Sequence, residues 1–423
     1  MSYNKDMKNK INLEKLLYIF VLLNPILDML SGKFYIDKIS ITMVLRPLIP
    51  FFCLIYIFIK DNSARKKLLI GGLIYILYSL VHLYLYYKNV TLFSYGNTIY
   101  EATYLLNYTY LIFSLYLFIY VFKNIKDTST LYKCLFIHNM IYIVSILIAI
   151  ITNTSNSTYT EGIGFIGWFN TGGAVGSILV ISLLLLLPKI FEDKKNLVIK
   201  IFYLISTYAY LIFLLGTRVG LFGAVLTIVV FLISNVVISI IKKVKLNRKV
   251  IIISSCALVL FVVILYIFGS MTINRRKMLD ELTGKNPFDE TAPTIYMAYD
   301  FTLLKEKLES GILEESYLNK EQKNALFKLD EYTKRTKFVS TDLRGQQLLY
   351  HTFLYMEQKD IALKLFGNGY LINMGALTLE METIALFYNF GIIGFILFFI
   401  PFLVVLLYGI FIGIKNNKKI DVE

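Results

Sequence analysis

Charge is scarce in this sequence: Asp, Glu, Lys and Arg make up 17% of its 423 residues, while apolar types reach 57%. Soluble domains average about 25% charged and about 45–50% apolar residues, so the composition argues against a soluble globular protein. Cysteine is nearly absent. Cys53, Cys134 and Cys256 each lie inside an apolar run without Cys-x-x-Cys spacing, so they read as small core residues and point to neither a disulfide nor a metal site. No DxD-like cluster, His/Cys metal spacing, P-loop or G-x-S-x-G elbow occurs, and no metal or cofactor is expected. An internal repeat of the transporter kind is also missing. The basic head (Lys5, Lys8, Lys10, Lys15) precedes an apolar run containing Asn24-Pro25 and Asp28, with no small-x-small cleavage site. That run reads as a retained anchor helix, not a signal peptide.

Long apolar runs are what the chain has in abundance. They cover roughly residues 13–30, 39–59, 68–87, 98–122, 132–152, 171–188, 199–216, 219–241, 250–269 and 383–413. About 20 apolar residues cross a ~30 Å hydrocarbon core as helix, and continuous runs, unlike alternating ones, argue against a barrel. One set of connections, including both termini, holds 23 Lys/Arg, whereas the opposite short connections hold only Lys33, Lys38, Lys88 and Arg218. Positive residues stay inside, so both termini are expected in the cytoplasm. The predicted fold is all-α: a polytopic transmembrane bundle with about ten helices, both termini inside. Residues 1–269 form about nine of the helices, 270–382 a large helical extracytoplasmic loop, and 383–423 the last helix and a basic tail. The loop holds 15 Lys/Arg and 17 Asp/Glu, so the net charge of +14 belongs to the cytoplasmic side and to anionic lipid. Nucleic acid is a poor reading of it. Within the loop, 297–309, 314–337 and 344–360 favour helix, and Gly284–Pro293 and Phe366–Tyr370 favour turns.

Arg218 stands in Gly216-Thr217-Arg218-Val219-Gly220, at the outer membrane boundary. Arginine at that depth is costly unless it pairs or faces a cavity, and its guanidinium is a bidentate donor suited to phosphate. Snorkelling to headgroups is the competing reading. Arg344 follows Ser340-Thr341-Asp342 where a helix begins, which makes either an anion site or a surface pair with Asp342. Arg275 and Arg276, just outside a span, are weaker phosphate candidates that also suit headgroup contacts. Glu380 and Glu382 open the last span as dipole caps or as a general base. His351 is either a base or a packed core histidine, while His82 and His138 read as structural. Asp28 and Arg46 fall toward the outer halves of two antiparallel helices, and a structural ion pair is expected. Glu101 suits the wall of a polar cavity, with no role fixed.

Three stretches resemble the O-antigen polymerase and O-antigen ligase superfamily. Leu215–Leu221 is similar to its Ser/Thr-Arg-Gly turn. Thr341-Asp342-Leu343-Arg344 through Leu365-Phe366-Gly367-Asn368-Gly369-Tyr370 is similar to its arginine and "lfGnGy" segment. Glu380 through Phe390-Gly391-Ile392-Ile393-Gly394-Phe395 is similar to its closing motif. Asn24-Pro25 to Asp28, with Arg46, also resembles Gram-positive members. The chain departs from the family where many members carry His-Asn before the final Gly-x-x-Gly and this one has Glu380-Met381-Glu382, which leaves the base open.

The resemblance implies a multi-pass enzyme of the bacterial cytoplasmic membrane that works without a metal. Its substrate would be a polyprenyl-pyrophosphate-linked oligosaccharide among membrane lipids, with a flippase and a chain-length regulator as partners. Arg218 and Arg344 would hold the pyrophosphate, and Glu380, Glu382 or His351 would deprotonate the acceptor. A polymerase for capsule or exopolysaccharide is the leading expectation, since frequent Ile, Lys and Asn fit an AT-rich, Gram-positive host. Transfer to a different acceptor, as in the ligases, is the alternative. A transporter or flippase, or a membrane sensor, are the readings from other classes.

Overall fold

The computed structural model describes residues 13–33, 35–36, 39–89, 95–123, 128–159, 162–192, 195–242, scattered positions between 252 and 266, 269–282, 320–336, 343–370, 379 and 382–419. The chain is an all-α polytopic membrane protein. Among the described residues, seven helices are long and apolar enough to cross a membrane: Asn62–Asn89, Thr98–Phe122, Ser129–Ile151, Gly172–Phe191, Leu197–Leu214, Arg218–Val237 and Thr383–Ile412. The expected spans at 13–30 and 39–59 are helices α1 (Leu13–Lys33) and α2 (Ile41–Lys60). Every described position between 252 and 266 is helical.

Two compact units divide the chain. One comprises Met1–Leu54, Leu117–Leu279 and Gly413–Glu423, the other Ile55–Tyr116 and Asp280–Ile412. In the first, α1 packs on α5 (Ser129–Ile151), and α5 on α6 (Gly172–Glu192). Helix α6 in turn makes a close crossing with α8 (Arg218–Lys242). Without a hydrophobic driving force between helices in lipid, close approach of backbones supplies the packing energy. A Cβ on Gly223 of α8 would sit 2.6 Å from Val180 of α6, so a glycine is needed there. A short hairpin, β3 (Asn156–Ser157) with β4 (Phe165–Gly167), follows α5. Helix α7 (Leu197–Ala209) ends in a π-helical turn, Tyr210–Leu214. Helix α9 (Met271–Leu282) is preceded by Ser270, whose Oγ accepts the Ile273 amide at 3.2 Å.

In the second unit, α3 (Asn62–Asn89) begins almost where α2 ends. Residues 60–67, the connection between the expected spans at 39–59 and 68–87, are largely helical. Asp61 Oδ1 caps α3 by accepting the Ser63 amide at 2.8 Å, while Arg65 donates to Phe58 O and Ile59 O at the end of α2. Both helix ends are thereby satisfied locally. Helix α4 (Tyr95–Phe122) follows and continues into the first unit. Helices α10 (Lys320–Thr336) and α11 (Leu343–Glu357) pack through Leu326, Leu329, Tyr350 and Leu354. Helix α12 (Ile361–Phe366) has Asp360 as N-cap. Last come α13 (Glu382–Phe398) and α14 (Ile400–Lys419). The expected helix at 297–309 and the turn at 284–293 lie outside the described residues.

Candidate functional site

In the first unit, the chain reverses between α7 and α8 over Leu215, Gly216 and Thr217. Gly216 has φ +78°, a left-handed conformation that glycine adopts without a Cβ penalty. Thr217 Oγ1 then caps α8 by accepting the Gly220 amide at 3.0 Å. The turn is held from outside by the hairpin, where Thr158 Oγ1 donates to Leu215 O at 2.6 Å and Tyr210 Oη donates to Phe165 O at 3.0 Å. Thr272 of α9 donates to Thr217 O at 3.3 Å. The first turns of α8 and α9 therefore meet, and each carries the positive end of a helix dipole.

Two arginines stand on these turns. Arg218, the first residue of α8, is exposed. Arg275, on the second turn of α9, lies with its guanidinium carbon 3.5 Å from the ring centre of Tyr159 at the hairpin tip. Stacking fixes the guanidinium plane, which bidentate recognition of a phosphate requires. Two helix N-termini with two arginines, one exposed and one held against a ring, bring together groups whose chemistry suits an anion. Tyr159, Thr158 and Thr272 escape a reading of the sequence. The glycines at 162, 164 and 167 mark the hairpin, but nothing local ties it to Tyr210 and Leu215, 45 and 57 positions away.

Elsewhere in this unit Arg46 pairs with Asp28, and Tyr142 of α5 donates to the other Asp28 oxygen. Tyr142 stacks on Phe169 at 4.7 Å, so the pair braces α1, α2 and α5.

The second unit holds a broken helix. Within α13, Gly391 has φ 69° and ψ −174°. The turn after α12 fills the break: Gly369 N donates to Asn389 O at 2.8 Å and Asn368 N to Tyr388 O at 3.4 Å. Tyr78 of α3 donates to Phe390 O at 2.7 Å. Carbonyls that a helix break would leave bare in lipid thus find protein donors, and non-helical backbone at membrane depth is tolerated on that condition.

Arg344 is exposed on the first turn of α11. His351 is buried, 2% exposed, beside Tyr350 and Tyr388, which is a packed setting. Glu382 starts α13; its side chain, that of Arg276 and all of Glu380 lie outside the described residues. His82 and Glu101, which sequence gave a structural reading and no role respectively, form a buried pair. His138 is buried on α5 beside Tyr142.

A family model of O-antigen ligase-like membrane proteins matches residues 8–421. The chain belongs to that family. No curated protein and no solved structure matches it. As an O-antigen ligase-like protein it has a membrane glycan-transfer role, with lipid-linked glycans and membrane lipids as its surroundings.

Proposed function

We propose that this O-antigen ligase-like protein is a polysaccharide polymerase. It transfers a glycan from a polyprenyl-pyrophosphate carrier to a second lipid-linked glycan at the outer face of the bacterial cytoplasmic membrane. The observation that carries the reading is the meeting of α8 and α9, where Arg218 and Arg275 stand on two helix N-termini. A pyrophosphate seated there would have its charge stabilised by fixed donors as it leaves. Such electrostatic preorganisation is commonly the largest single contribution to catalysis.

In the reaction an acceptor hydroxyl oxygen bonds to the anomeric carbon of the donor sugar. The bond from that carbon to the pyrophosphate oxygen breaks, and the electron pair leaves with the pyrophosphate. The hydroxyl proton passes to a carboxylate, for which Glu382 and Glu380 are the proposed bases. The close packing around His351 favours the carboxylates over it. Arg344 keeps a phosphate role on the family resemblance alone, and Arg276 a weaker one as the neighbour of Arg275 just outside a span. Guanidinium groups supply the positive charge in this scheme, so no step calls on a metal. A flippase that delivers the donor and a chain-length regulator are the partners it implies.

Incubating the purified protein with a short lipid-linked oligosaccharide and resolving products by size tests the reading. Lengthening by the wild type, lost in Arg218→Ala, is the expected result. Product found only on a different acceptor would make the enzyme a ligase. Full activity in Arg218→Ala and Arg275→Ala would remove the anion site from the mechanism.

A further inference from the structure

Neither side chain of the His82–Glu101 pair has a task in the transfer scheme above, although both are fully buried at 0% exposure. His82 lies on α3 and Glu101 on α4. His82 Nδ1 is 2.6 Å from Phe366 O, and Nε2 is 2.8 Å from Glu101 Oε1. Glu101 Oε2 accepts the Tyr370 amide at 2.8 Å. A carbonyl only accepts, so Nδ1 carries a hydrogen, and one further proton lies between Nε2 and the carboxylate. Every polar atom of the two side chains is directed at the Phe366–Tyr370 turn or at its partner.

The surroundings tighten the arrangement. Tyr104 stacks on Tyr370 at 4.0 Å, and Tyr108 Oη lies 3.0 Å from Tyr370 Oη. A Cβ on Gly369 would stand 3.1 Å from Glu101 Cδ and closer still to the Tyr86 ring, so the turn lies flat on α3 and α4. The same turn fills the break in α13 through Gly369 N and Asn389 O. Helix α13 up to its break, which begins at Glu382, is thus seated on the same buried clamp.

We infer that His82 and Glu101 are positioning residues of the glycan-transfer site, a clamp that fixes the 366–370 turn and through it the first half of α13, which begins at Glu382. The inference rests on the transfer reading for its functional half. Its geometric half stands on hydrogen bonds alone, and the two halves separate by experiment. Glu101→Gln is isosteric, and its amide donates to a neutral His82 Nε2 while its oxygen accepts the Tyr370 amide. If the pair acts by holding position, this variant works. If the pair acts through its charge or by passing a proton, it does not.

The test measures turnover of a lipid-linked oligosaccharide together with hydrogen exchange of the 366–370 amides, using the full-length protein in detergent or nanodiscs. The expected result for His82→Ala and Glu101→Ala is a kcat about 100-fold lower, the scale of a displacement of about 1 Å at a reacting centre. KM for the donor should stay within about threefold. The 366–370 amides should exchange at least about tenfold faster in Glu101→Ala. Glu101→Gln should match the wild type within about threefold in turnover and in exchange. If the alanine variants do not survive purification, His82→Asn replaces them. Its amide sits where Nδ1 does, keeping the Phe366 bond and losing Glu101, and a kcat loss of about tenfold is expected.

Wild-type turnover in the alanine variants, unchanged exchange in Glu101→Ala, or a Glu101→Gln variant as inactive as Glu101→Ala would each overturn the clamp. A wild-type protein that transfers no lipid-linked glycan would fail the transfer reading and remove the positioning role with it. The exchange pattern would still report whether the clamp exists.

Discussion

Replacing Gly391 by alanine puts a methyl group where the α13 break and the 366–370 turn cross. The added Cβ would stand 2.5 Å from Gly367 N, 2.5 Å from Leu365 O and 2.6 Å from Leu365 C. All three are backbone atoms, so no side chain can rotate away. The φ 69°, ψ −174° conformation is also one that only glycine visits readily, and forcing another residue into it costs about 1–3 kcal/mol. Overpacking adds about 1–3 kcal/mol. The expected loss of about 2–6 kcal/mol is a large share of a typical total stability of about 5–15 kcal/mol. Alternatively the backbone moves and the Gly369–Asn389 hydrogen bond is lost. Thermal unfolding of the detergent-purified protein, followed by size-exclusion or tryptophan fluorescence, reads the effect. At about 2–4 °C per kcal/mol for mid-sized domains, Tm should fall by roughly 5 °C or more. Gly409→Ala is the control, since a Cβ there meets nothing within 4 Å and alanine improves an exposed helix by about 0.5–1 kcal/mol. A Gly391→Ala protein with wild-type Tm and wild-type exchange at 366–370 would refute the crossing.

Further predictions come from the other contacts. Tyr78→Phe removes the donor to Phe390 O and should lower stability by about 1–2 kcal/mol, seen as a lower Tm without altered expression. Thr217→Ala removes the cap of α8 at a cost of about 1 kcal/mol, and should weaken donor binding as the first turn that carries Arg218 loosens; an unchanged Kd would separate the cap from the anion site. Arg275→Lys keeps the charge but loses the planar stack on Tyr159, so transfer should fall by about tenfold where a rim contact would leave it unchanged. On α10 and α11, Lys328 and then Asn324 hold the Glu357 carboxyl below its usual range. A lowered folded value means the contribution is present above the unfolded value of about 4.3 and is lost as pH falls through the folded one. The pair faces solvent, so its contribution is under about 1 kcal/mol, and Glu357→Gln should flatten the acid limb of a Tm-against-pH curve.

The seven membrane-length helices among the described residues were legible because each is a continuous apolar run, and lipid leaves helix as the way to satisfy their backbones. Arg218 was legible for a similar reason, as a charge beside Gly216 at the end of such a run. The clamp was not. His82 meets Phe366 across 284 positions and Glu101 meets Tyr370 across 269, and each residue alone sits in an unremarkable helical run. The place of the α13 break was hidden for another reason. Residues 383–413 are mostly apolar and long enough to bend, but Gly391 and Gly394 are ordinary in a membrane helix until the donors on the 366–370 turn are known. The hairpin tip that orients Arg275 lies between two spans, where periodicity carries no signal.

Glycan transfer from a pyrophosphate carrier at the α8–α9 arginines must release one carrier for each glycan moved. Purified wild type and Arg218→Ala are given the same polyprenyl-pyrophosphate-linked oligosaccharide, and glycan products and released polyprenyl pyrophosphate are quantified together. The expected outcome is longer glycans with one carrier released per transfer by the wild type, and loss of both in Arg218→Ala with the fold intact. Equal product from the two proteins, or chain growth without carrier release, would contradict it.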